Sequence, residues 1–172
     1  MNKLKLVIIV QLVFFGLWGG YLLTMDETAV PDIYLETEPV DPRDFLSGTY
    51  VALTYDISVP EQCRKFTSAN TGMAVYVKLE NKGKTAPTAN GPVPLYEAAD
   101  CAAEPDHTGA LWARGSAESS INGSLRVRYG IEKFFVNEND PLKEARSGQV
   151  VAKVKLDRFN NLRLEKLIRT LV

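Results

Sequence analysis

Leu125-Arg126-Val127-Arg128-Tyr129-Gly130-Ile131-Glu132 alternates apolar and polar residues. A period of two places Leu125, Val127, Tyr129 and Ile131 on one face of a strand, and Arg126, Arg128, Gly130 and Glu132 on the other. The pattern returns in Met73–Glu80, where Met73, Val75, Val77 and Leu79 share a face. In Val150–Asp157, Val150, Ala152, Val154 and Leu156 oppose Val151, Lys153, Lys155 and Asp157. Thr49–Ile57 repeats it through Val51, Leu53, Tyr55 and Ile57. Between these runs, Asn90-Gly91 and Asn122-Gly123 are tight-turn signals, and Asn160-Asn161 is expected to turn the chain back into Leu162–Ile168. That last run loses its phase at Lys166, which predicts a bulge or a frayed end. The phase also slips after Ile131, where Phe134 joins the Glu132 face, and Gly130 is the expected bend. Asp140, Pro141 and Ser147-Gly148 punctuate one short helix. The fold class this predicts is mainly β: one barrel-like or sandwich-like domain of seven or eight strands with a single short helix.

Ahead of the β pattern, Leu6–Met25 reads LVIIVQLVFFGLWGGYLLTM without one charge. Twenty helical residues rise roughly 30 Å, the thickness of a bilayer's hydrocarbon core. Trp18 and Tyr21 lie near its far end, where amphipathic rings favour the interface. Lys3 and Lys5 precede the run and no Lys or Arg follows it until Arg43. The positive-inside rule therefore assigns residues 1–5 to the cytoplasm, 6–25 to the bilayer and 26–172 to the extracytoplasmic side. The competing reading is a cleaved signal peptide. An uncleaved anchor is favoured because the run is long for a signal's apolar region and no Ala-x-Ala site follows. Gly16 and Gly20 form a Gly-x-x-x-Gly step, a spacing that lets two membrane helices approach closely and makes a homodimer one expected association.

The chain carries 20 basic and 21 acidic residues, a net charge of −1, which argues against a nucleic-acid binder. That neutrality is a cancellation. Residues 26–60 hold eight acids against Arg43 alone, while 61–172 hold seventeen basic and thirteen acidic groups. Either the two parts pack together and neutralise one another, which is favoured, or an acidic stem faces a cationic partner. Cys63 and Cys101 are the sole cysteines, and in an oxidising compartment they are a candidate disulfide.

Pro39-Val40-Asp41-Pro42-Arg43-Asp44-Phe45-Leu46-Ser47-Gly48-Thr49-Tyr50-Val51-Ala52-Leu53-Thr54-Tyr55 resembles the GDYXXLXY family. Gly48, Tyr50, Leu53 and Tyr55 match its consensus string, and Asp41-Pro42-Arg43-Asp44 matches its lead-in. Arg128–Val136 is similar to its second block, and the likeness runs through about residues 35–165. Thr49 stands where the consensus has Asp, so any chemistry of that carboxylate in relatives is lost here. The resemblance implies a membrane-anchored extracytoplasmic bacterial domain, associated with a multi-pass membrane protein; it carries no activity. Asp41, Arg43, Asp44, Gly48, Tyr50, Leu53, Tyr55, Arg128, Tyr129 and Glu132 are the candidates for a binding site or a buried structural network, the network being favoured.

Catalytic signals are thin. His107 is the lone histidine, with Asp100, Cys101, Glu104 and Asp106 nearby, but zinc sites need more His or Cys in paired spacing. Ser47 has no lysine placed by sequence to activate it. The expected function is a non-enzymatic accessory or binding module without a cofactor or metal. It is anchored in the bacterial inner membrane with its C-terminal domain periplasmic or extracellular. Alternatives are a cell-envelope hydrolase, or a ligand sensor using a barrel cavity.

Overall fold

A computed structural model describes residues 3–24, 31–39, 50–66, 71–106, 108–119, 125–135 and 149–171. Asp41, Arg43, Asp44, Ser47, Gly48, Thr49, His107, the Asn122-Gly123 turn and the Asp140–Gly148 helix lie outside them. The chain divides into two units, Met1–Val30 and Pro31–Val172.

The first unit holds one helix, α1 (Lys3–Thr24). Its span Lys3–Tyr21 is long and apolar enough to cross a membrane, and none of that stretch is buried in the protein. Apolar side chains point outward all round: Val7, Ile8, Leu12, Phe15 and Leu17 are all exposed. A helix apolar on every side needs an apolar surrounding rather than one apolar neighbour. Phe14 packs edge-on against both Phe15 and Trp18. A Cβ added at Gly16 or Gly20 would meet nothing within 4 Å, so that face is open.

The second unit is mainly β and nearly closes on itself as a barrel. Its described strands number eleven, not seven or eight: β1 (Ile33–Pro39), β2 (Tyr50–Tyr55), β3 (Ala74–Glu80), β4 (Thr85–Thr88), β5 (Gly91–Pro94), β6 (Glu97–Ala102), β7 (Leu111–Ser119), β8 (Leu125–Arg128), β9 (Lys133–Phe135), β10 (Val150–Leu156) and β11 (Leu162–Arg169). Two 3-10 turns, Asp56–Ser58 and Glu61–Phe66, follow β2. One sheet has the order β11-β10-β1-β2-β9 and a second β6-β3-β7-β8, while β4 and β5 form a hairpin. The sheets meet where β8 runs into β9, and again where Arg114 of β7 bridges Asn161.

Alternation placed most of the core, but Met73, grouped with Val75, Val77 and Leu79, precedes β3 and is exposed. Val75, Val77 and Leu79 are buried, as are Leu125, Val127, Tyr129 and Ile131, then Leu53, Tyr55 and Ile57, then Val150, Ala152, Val154 and Leu156. Val151 is a correction. Assigned to the outer face with Lys153 and Lys155, it is only 2% exposed, because the β4–β5 hairpin covers it with Ala86 and Leu95. The Leu125–Glu132 run is shorter than expected as a strand: β8 stops at Arg128, and Gly130 bends the chain with φ +82°. The extra strands arise partly there and partly in the β4–β5 hairpin, whose Gly91 has φ +106°. The phase slip at Lys166 is a bulge. Lys153 pairs Lys166, but Val154 pairs Leu164, which leaves Glu165 unpaired on the bulged strand.

The bulge has an electrostatic consequence. Glu165 bridges Lys153 at 3.2 Å and Lys155 at 2.9 Å, and Lys153 also meets Asp32 at 2.8 Å. Glu36 pairs with Lys84. Two described acids of the 26–60 segment, Asp32 and Glu36, thus pair with lysines of the basic body, consistent with internal neutralisation. Thr37 is fully buried, and its hydroxyl donates to the Val150 carbonyl at 2.7 Å, so β1 crosses the core without an unsatisfied polar group.

Candidate functional site

The two sequence blocks that carry the family likeness meet in the core. β2 directs Leu53 and Tyr55 inward, and the Tyr55 amide donates to Ser58 Oγ at 3.1 Å as the chain enters its first 3-10 turn. Opposite, the chain leaves β8 through Tyr129 and the Gly130 bend. The Glu132 carboxylate caps that bend by accepting the Tyr129 N–H at 2.6 Å. The Leu53 amide reaches across to the Glu132 carbonyl at 2.8 Å.

Two phenols then lock the blocks reciprocally. Tyr55 donates its O–H to the Ile131 carbonyl at 2.6 Å, and Tyr129 donates to the Ile57 carbonyl at 2.8 Å. Ile57 and Ile131 sit in turns outside the strand ladders, so their carbonyls need another donor. Each tyrosine supplies one while burying its ring. Gly115 makes room for this arrangement: a Cβ there would lie 2.2 Å from Val127 Cγ1, 3.0 Å from the Arg128 carbonyl oxygen and 3.3 Å from the Tyr129 ring. Gly115→Ala is expected to cost about 1–3 kcal/mol by overpacking, measured as a lowered denaturation midpoint; an unchanged midpoint would refute the close packing.

Burial first, and the negative charge of Glu132 second, push the Tyr55 and Tyr129 phenols above their ordinary pKa. The folded state keeps both protons while an unfolded chain begins to lose them near pH ~10. Their contribution to stability is therefore full below that pH and falls as pH rises beyond it, by up to about 1.4 kcal/mol per pH unit for each phenol. In an alkaline absorbance titration, two of the seven tyrosines should stay silent until the domain unfolds. Reversible ionisation of all seven in folded protein would count against the burial of this pair.

The remaining described candidates are dispersed. Arg128 was expected to join Glu132 in a buried network. Instead it lies on the solvent face and pairs with Glu118 at 2.9 Å, because Arg128 belongs to the outward half of the β8 alternation. Tyr50 opens β2 opposite Phe135. The sulfurs of Cys63 and Cys101 are bonded, with Cα atoms 5.2 Å apart, and both residues are fully buried. That bridge fastens the second 3-10 turn to β6, where Gln62 Nε2 also donates to the Ala98 carbonyl at 2.9 Å. β6 continues through Ala102, and a loop follows it. Its Asp106 carboxylate accepts hydrogen bonds from Trp112 Nε1 and Thr108 Oγ1, each at 2.8 Å, and these hold its pKa below the usual range. Among the described residues, no group of three His, Cys, Asp or Glu is arranged to hold a metal.

Sequence reasoning missed Gly115, Ser58 and Thr37. An isolated glycine inside the Leu111–Ser119 strand pattern was an available signal for close backbone approach. Ser58 and Thr37 give no such signal, because their partners are set by tertiary contact.

An N-terminal apolar helix followed by a nearly closed, disulfide-braced β domain defines the structural class. The family model described as GDYXXLXY protein matches residues 21–167, and the chain belongs to that family. No curated protein and no solved structure matches it.

Proposed function

We propose that this chain is a single-pass accessory module. In this reading α1 stays in the cytoplasmic membrane as an uncleaved anchor, and the β domain works outside it by binding a multi-pass integral membrane protein. The observation that carries the reading is the pairing, in one chain, of a membrane-length helix whose charges, Lys3 and Lys5, are confined to its first turn with a buried Cys63–Cys101 disulfide. Disulfides persist in oxidising compartments, which favours an extracytoplasmic domain. The proposed role is binding rather than catalysis. In its support, the Tyr55 and Tyr129 phenols, at the junction of the two family blocks, are committed to backbone carbonyls and hold their protons tightly. Crosslinking in native membranes followed by mass spectrometry is expected to recover a multi-pass partner joined to the β domain. Recovery of the monomer alone would overturn the binding role, and a mature chain lacking α1 would overturn the anchor.

A further inference from the structure

Among the described residues, β11 ends its sheet and pairs along its length with β10 alone. The other edge is closed only at its ends. Asn161, just before β11, bridges Arg114 of β7, and Thr170, just after it, bridges Thr88 of β4. The direction of the backbone groups between these bridges follows from β10. The Thr170 amide donates to the Gln149 carbonyl at 2.9 Å, and an antiparallel ladder alternates, so Val151, Lys153 and Lys155 turn their N–H and C=O groups toward β11. Val150, Ala152 and Val154 turn theirs toward β1, where the Val150 carbonyl accepts the Thr37 hydroxyl. Leu167 and Leu164, which pair with Ala152 and Val154, therefore direct their N–H and C=O groups to the open edge. A sheet edge of this kind is a template for one more strand.

The occupant is defined by the flanks and by the two faces. The bridges to β7 and β4 leave room for a single extended segment rather than for the edge of another sheet, whose own neighbours would meet them. On the core face, the Glu165 bulge brings Leu164 and Leu167 into one row, and both are only half-buried. On the outer face, Glu165 is held by Lys153 and Lys155, and Arg163 lies 3.8 Å from Asp157. Lys166 is exposed and has no ion-pair partner among the described residues. A strand laid along this edge would place two side chains beside Leu164 and Leu167, and the one between them beside Lys166.

We propose that the open edge of β11 takes up a short extended peptide of a partner protein, with an acidic residue between two apolar ones, as an added strand. The inference rests on the reading of this chain as a binding module and names the way the partner is held. The test titrates the detergent-solubilised full chain with the capped peptide Thr-Val-Glu-Val-Thr and follows the Leu164 and Leu167 amides by NMR. Their hydrogen exchange should be fast in the free chain, and the peptide should shift both amides saturably and slow their exchange. Thr-Val-Lys-Val-Thr should bind roughly threefold more weakly, the size of one cross-strand charge pair, and Lys166→Glu should reverse the preference. Leu167→Pro removes an outward N–H and none that faces β10, so it should abolish the shifts with an unchanged circular-dichroism spectrum. Leu164→Pro is the independent second variant. Protection of the two amides without peptide would overturn the proposal, because the chain itself would then cover the edge. Equal binding of the two peptides, or no saturable shift with either, would also overturn it. A partner crosslinked elsewhere on the β domain would still leave the binding module standing.

Discussion

Tyr55→Ala is expected to lower the unfolding free energy by about 3–5 kcal/mol, the range for deleting a buried aromatic ring. Tyr55 is 2% exposed, so little of the resulting cavity would be open to water, and the Ile131 carbonyl would lose its donor. Tyr55→Phe keeps the ring and removes only the hydroxyl, with an expected cost of about 1–2 kcal/mol. Tyr129→Phe strands the Ile57 carbonyl in the same way. Because both phenols join the same two segments, the double Phe variant should deviate from additivity in a double-mutant cycle. Equilibrium denaturation of the detergent-solubilised chain measures all four. A Tyr55→Ala loss below about 0.5 kcal/mol, the range of ordinary surface changes, would show that the cross-brace contributes nothing.

Removing the disulfide as Cys63→Ala with Cys101→Ala should cost about 4 kcal/mol by the chain-entropy relation for a loop of this length. The two cysteines are separated by 38 residues, and the loop they close contains β3, the β4–β5 hairpin and most of β6. β3 pairs with β6 across the intervening hairpin, so bringing them together carries a loop-closure cost that a crosslink over the same span removes in part from the unfolded state. The comparison is a denaturant midpoint for the native chain and for the double alanine variant. Equal midpoints would mean that the bridge adds no stability. Reductant added to folded protein should act slowly, since neither cysteine is exposed to solvent.

How much of this was legible beforehand depended on the range of each interaction. The alternation in Met73–Glu80 and Val150–Asp157 reported the buried face directly, since a strand's faces depend only on residues two apart. Lys166 betrayed the bulge for the same reason: inserting Glu165 breaks a local period. Gly130 and Asn160-Asn161 announced turns through their own backbone preferences. Val151 misled because its cover comes from a hairpin more than fifty residues earlier in the chain. Arg128 and Glu132 fall on one face of the sequence alternation and were both candidates for one buried network. They separate because the Gly130 bend turns the Glu132 carboxylate back onto the Tyr129 amide, while Arg128 remains on the solvent face.

The sequence by itself determined the apolar helix, the β class, the inward faces of the main strands and the pairing that two lone cysteines allow. Each depends on composition or on a short period, and so is written within a few residues. Only the tertiary structure decided that Tyr55 donates to Ile131 and Tyr129 to Ile57, that Thr37 serves the Val150 carbonyl, and that Gly115 must lack a side chain. Those are compensations for polar groups and volumes left over when distant segments meet. They acquire a partner only once the strands are assembled, so no local pattern encodes them.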